Sequence, residues 1–165
     1  MRKSSAILSI GAALGLVVGL GGSAQAGNTT VQGCKPGNVC FYTNNTNTPD
    51  WQTSGSSTPG YTYNYTNAKI LNNGRKWVGA DHIYYFGTYV GMDGKYGGAL
   101  AGCLHHYEGG RVGDSGAWID VNKLVAYRIA SATYVNNHYW GGECEAGSTG
   151  LQYKPNGSTK WYRVS

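Results

Sequence analysis

Glycine fills 27 of the 165 positions of this chain, and no stretch sets apolar residues at three-and-four spacing over three helical turns. Glycine costs a helix interior about 1 kcal/mol relative to alanine, so this density works against helices throughout. The one short helical candidate, Ala99-Leu100-Ala101, is bracketed by Gly98 and Gly102. Strand patterns are plentiful instead. Val39 to Thr43 is aromatic and β-branched, and Tyr61-Thr62-Tyr63-Asn64-Tyr65-Thr66 alternates aromatic with polar residues, the period of a half-buried strand.

Further strands are predicted at 69–71, 76–78, 82–90, 104–107, 118–121, 124–129, 132–135, 139–140, 152–153 and 161–164. Several are joined by turn signals: Asn72-Asn73-Gly74-Arg75, Asn136-Asn137, and Pro155-Asn156-Gly157-Ser158. Roughly ten short strands at this spacing argue an all-β sandwich or Greek-key barrel, and a Greek-key β-sandwich is the expectation taken forward. Two segments read as loops, Asn44 to Gly60 and Gly91 to Gly102.

The four cysteines constrain that sandwich further. Arg2 and Lys3, the apolar run Ala6 to Leu20 and the small residues of Ser23-Ala24-Gln25-Ala26 make a secretory signal, with cleavage expected after Ala26. That run is too short and too glycine-rich to anchor a membrane. Residues 27–165 then form a single secreted, extracellular domain. Cys34, Cys40, Cys103 and Cys144 all lie in it, an even number in an oxidising compartment, so two disulfides are expected. Three connectivities are open. The Lys35-Pro36-Gly37-Asn38 turn favours Cys34–Cys40, which leaves Cys103–Cys144.

Removing Arg2 and Lys3 lowers the formal net charge from +5 to +3, and the remaining basic residues are scattered, which argues against nucleic acid as a partner. Only 13% of residues are charged, while 14 tyrosines and five tryptophans supply rings with polar tips. No catalytic constellation is expected. Among the histidines, His105 and His106 fall in a predicted strand, where neighbours point to opposite faces. The H-E-x-x-H metal pattern is lacking, so neither metal nor cofactor is anticipated. Gly113-Asp114-Ser115-Gly116 resembles the string around a trypsin-like serine, but the rest of such a protease is missing and the segment reads as a turn.

The segment Gly33-Cys34-Lys35-Pro36-Gly37-Asn38-Val39-Cys40-Phe41-Tyr42 resembles the opening of the small secreted metalloproteinase inhibitors of actinobacteria. That resemblance implies a crystallin-like fold, a bacterial source and a non-catalytic protein that blocks an extracellular protease. Trp51, in the first loop, and Met92, Lys95 and Tyr96, in the second, are then the protease-contact candidates. The alternative is a carbohydrate or cell-surface binding module. Tyr61, Tyr63 and Tyr65 share one face of their strand and would stack on sugar rings if exposed; the same alternation suits a core-facing row.

Overall fold

Two antiparallel sheets form because β-branched and aromatic residues alternate along the strands and have one shared interior to fill. The computed structural model of the chain describes residues 28–43, 47–55, 69–77, 79–109 and 116–164. The leader, Tyr61, Tyr63, Tyr65 and the Gly113–Ser115 string lie outside the described residues. Four strands, β1 (Asn38–Tyr42), β2 (Trp51–Thr53), β3 (Lys69–Asn73) and β6 (Trp118–Asp120), make one sheet in the order β2-β1-β3-β6. The other five are β4 (His82–Val90), β5 (Tyr96–Leu104), β7 (Ala132–Gly141), β8 (Gly150–Pro155) and β9 (Tyr162–Val164), ordered β7-β4-β5-β8-β9. One four-residue helix, α1 (Lys123–Ala126), replaces the strand expected at 124–129.

Val39, Phe41 and Ile70 of the first sheet meet Ile83, Tyr85, Leu100, Val135 and Leu151 of the second in a single apolar core. This is the β-sandwich the strand pattern called for. β1 is buried on both sides, because Cys40 and Tyr42 face a second cluster with Cys34, Leu71 and Ala117. The disulfides are Cys34–Cys40 and Cys103–Cys144. In the chain-entropy model, closing the longer loop stabilises by about 4 kcal/mol and the shorter by about 2.

Local turn chemistry is realised in two places and overridden in three. Asn38 N donates to Lys35 O across the first turn, and Ser158 N donates to Pro155 O where β8 turns into β9. The 91–102 loop is instead a tight turn followed by β5, so Ala99 to Ala101 are strand. Asn136-Asn137 does not break β7 either. The ladder with β4 shifts register between Phe86 and Gly87, a β-bulge, and a Cβ on Gly87 would collide with Tyr134 O.

The third override is at Asn72-Asn73. β3 runs through both, and neither is exposed. Asn72 Nδ2 donates to Asp81 O (2.9 Å) and Leu104 O (3.2 Å), and its Oδ1 accepts from Gly74 N (2.9 Å). Asn73 Nδ2 binds Thr29 O, Cys34 O and Lys35 O. The two amides therefore pin the amino-terminal segment and the β4 and β5 ends to β3. A substitution Asn72→Leu strips three buried backbone groups of a partner. It is expected to destabilise by at least about 2 kcal/mol, read from chemical denaturation.

Candidate functional site

Along β5 the outward positions are all small. In the β4–β5 register Ala101 pairs with Phe86 and Cys103 with Tyr84, so these residues share the outer face, as does Ala99 opposite Thr88. Tyr139 joins them on β7, directly across from Tyr84. On the far side β8 places Gln152 opposite Ala101 and Lys154 opposite Ala99. A row of small side chains between two rows of large ones leaves a trough along the sheet.

The aromatic wall of the trough is an ordered stack. Tyr84 and Tyr139 lie 5.1 Å apart at 10° between planes, and Phe86 and Tyr139 5.8 Å apart at 18°. Offset-parallel rings at these separations attract beyond their area burial. Phe86 and Tyr139 nevertheless stay well exposed. Trp161 stands on the opposite wall, with Lys154 Nζ 5.3 Å from its ring. Between them is a groove of about 290 Å³ that also meets Glu145, Ser148 and Gln152.

The end of the trough is a stapled loop. Tyr84 Oη donates to Glu143 O (2.8 Å) and accepts from Glu145 N (3.3 Å). Ser148 Oγ donates to Glu145 O, Gln152 Nε2 donates to Gly147 O, and Cys103 N donates to Ser148 O. The Cys103–Cys144 bond joins this loop to β5. A larger cleft of about 610 Å³, lined by Arg75, Trp77 and Trp140, opens elsewhere. Its Ser54, Arg75, Trp77 and Ala80 walls lie outside the strands, so no ladder holds them in register.

A second pocket gathers titratable groups. β5 ends at Leu104, so His105 and His106 leave the strand and the opposite-faces rule does not apply to them. Both turn toward the Asp81-His82 step at the start of β4. His82 Nδ1 lies 2.7 Å from Asp81 Oδ1, and His82 Nε2 lies 2.7 Å from His105 Nδ1. His106 sits with Nδ1 3.6 Å from Asp81 Oδ2 and Nε2 3.2 Å from Glu108 Oε1, neither in hydrogen-bond geometry. Glu143 Oε2 reaches within 3.4 Å of His82 Nε2. With Lys76 these residues line about 330 Å³.

The contact candidates read from sequence are separated. Trp51 is half-buried on the edge strand β2 and packs on the core, its ring 5.3 Å from Phe41 and 5.5 Å from His138. Met92, Lys95 and Tyr96 are exposed at the β4–β5 turn. The trough residues Tyr84, Phe86, Tyr139 and Trp161 were not singled out, although the outward run of Gly97, Ala99, Ala101 and Cys103 is a visible trace of it. The chain matches no protein-family model, no curated protein and no solved structure.

Two histidines couple the fold to pH. Burial holds His105 below the ordinary histidine range, and the neighbouring His82 adds to this against the opposing pull of Glu143. Burial also lowers His138, partly offset by the Gly55 backbone. A depressed folded-state pKa means the unfolded chain binds more protons near pH 6. Stability is therefore expected to be full above about pH 6.5, the ordinary histidine value, and to fall below it. Denaturation midpoints at pH 7.5 and 5.5 measure this, and His138→Leu should reduce the difference to the part that His105 contributes.

Proposed function

We propose that the mature chain is a secreted, non-catalytic carbohydrate-binding protein that holds an extended glycan in the trough over β5. The observation that carries this reading is the exposed Phe86–Tyr139–Tyr84 stack facing Trp161 across a floor of Ala101 and Gly102. Sugar rings present C–H faces that pack on aromatic surfaces, and their hydroxyls need hydrogen-bond partners at the edges. Glu145 offers carboxylate oxygens there, and Ser148 and Gln152 line the same groove with their donors already engaged by Glu145 O and Gly147 O, which leaves them acceptor capacity. A sheet fixes the rings before binding, so little conformational entropy is lost on association. Two disulfides suit work outside the cell.

The reading is tested by a glycan array with the oxidised mature chain, followed by calorimetry on the best hit. Phe86→Ala and Tyr139→Ala are each expected to weaken binding about tenfold, as central aromatic anchors do, with the circular dichroism spectrum unchanged. An empty array at millimolar glycan, or full affinity in both variants, would sink the proposal.

Inhibition of an extracellular protease is a second reading, favoured by the preorganised β4–β5 turn. Gly91 N donates to Lys95 O (2.8 Å), Gly94 N to Gly91 O (3.0 Å) and Lys95 N to Asp93 Oδ1 (3.1 Å). Ser131 Oγ clamps the same turn through Gly91 O at 2.9 Å, leaving Met92 61% exposed at its tip. On this reading a panel of metallo-, serine and cysteine proteases contains one that is inhibited stoichiometrically, and Met92→Asp relieves it. Full activity of every protease at micromolar protein excludes it.

A further inference from the structure

The histidine pocket shares no lining residue with the trough and has a donor set of its own. Asp81 is almost fully buried and, as a carboxylate, can only accept. His82 Nδ1 must therefore carry the proton in their 2.7 Å hydrogen bond, which leaves a lone pair on Nε2. That lone pair points at His105 Nδ1 (2.7 Å) and lies 3.4 Å from Glu143 Oε2. A carboxylate that fixes the tautomer of one imidazole so that its other nitrogen faces a shared space is the outer-sphere arrangement found around metal-ligating histidines.

The charge selects the sign of the ligand. Asp81, Glu108 and Glu143 contribute three carboxylates around the pocket against one Lys76. An anion would be repelled, whereas a divalent cation offsets the excess. Two imidazole nitrogens with one carboxylate oxygen are a borderline donor set, suited to zinc rather than to calcium or magnesium, which take oxygen alone. Tetrahedral bonds of about 2.0–2.1 Å put neighbouring ligand atoms about 3.3 Å apart. The His82–Glu143 separation already meets this. The His82–His105 contact must open by about half an ångström. His105 follows the end of β5 on irregular chain, and the Glu143 side chain is 86% exposed; the two histidines lie mutually close with Cys144 rather than with Glu143, so Glu143 must swing toward His105 to complete the set. Cys144 lies beside the two histidines, but its sulfur is held in the disulfide with Cys103. His106 is 6% exposed with both ring nitrogens unpartnered, on the other side of Asp81.

We propose that this pocket binds one divalent transition-metal cation of the zinc class through His82 Nε2, His105 Nδ1 and Glu143 Oε2, with Asp81 as the positioning residue for His82. The cation takes the place of the proton between the two imidazoles, and His105 carries its own proton on Nε2 instead.

The test is calorimetric titration of the chelator-treated, oxidised mature chain with Zn²⁺ and, separately, with Ca²⁺, at pH 7.5. One equivalent of zinc is expected to bind at micromolar or tighter dissociation constant and to raise the melting temperature, with no calcium binding. His105→Asn and Glu143→Gln, both on accessible side chains, should weaken zinc by at least tenfold while keeping the fold, and Asp81→Asn by about 10–100-fold. Nitrogen shifts of the His82 and His105 rings should move on zinc addition while those of His138 do not. Absence of zinc binding, a preference for calcium, or unchanged affinity in both His105→Asn and Glu143→Gln overturns the proposal. So does loss of zinc in His106→Asn alone, which would put the cation on the far side of Asp81.

Discussion

The Asn72 side chain is the point through which the four-stranded sheet is tied to the ends of β4 and β5 in the other sheet. It sits on β3 of the four-stranded sheet, yet its amide reaches the carbonyls of Asp81 and Leu104, where β4 begins and β5 ends. Its own backbone accepts from Tyr107 N and donates to Ala117 O. Buried backbone groups left without partners cost about 1–3 kcal/mol each, so one asparagine decides where four segments run. The apolar core supplies adhesion without direction. The direction comes from this amide.

Once those ends are pinned, the rest follows from strand periodicity. Ile83, Tyr85 and Tyr89 must face Val39, Phe41 and Ile70, so Tyr84 and Phe86 must face out. The bulge at Gly87 twists β7 against β4 and keeps Tyr139 in line with both. The trough therefore has walls whose geometry is set by the core behind them. Its floor is small because Ala99, Ala101 and Cys103 take the outward positions of β5, while Leu100 and Leu104 between and beyond them fill the interior.

Fold class, disulfide pairing and the turns at Lys35–Asn38 and Pro155–Ser158 were legible in the sequence, because each rests on local chemistry: glycine density, cysteine spacing, turn residues. The failures share a cause. Asn72-Asn73-Gly74 has the composition of a hairpin turn, but burial gives the two asparagines partners far along the chain, and long-range hydrogen bonds leave no local trace. Asn136-Asn137 was absorbed into a bulge by its neighbours in the sheet. His105 and His106 were placed on opposite faces by a rule that holds only inside a strand, and the strand stops one residue earlier. Which aromatics face solvent was equally hidden, since Tyr84 and Tyr85 differ only in register.

The loop around Cys144 lies between the two pockets. Glu143 turns toward His82 and Glu145 toward the aromatic groove, on either side of a half-cystine bonded to β5. Tyr84 Oη touches the backbone of both glutamates. The backbone of both glutamates is therefore tied to the same phenol and the same half-cystine. Were an occupant of one pocket to shift that backbone, the free energy coupling the two pockets would be equal in both directions. The staple gives the two pockets one short backbone segment in common.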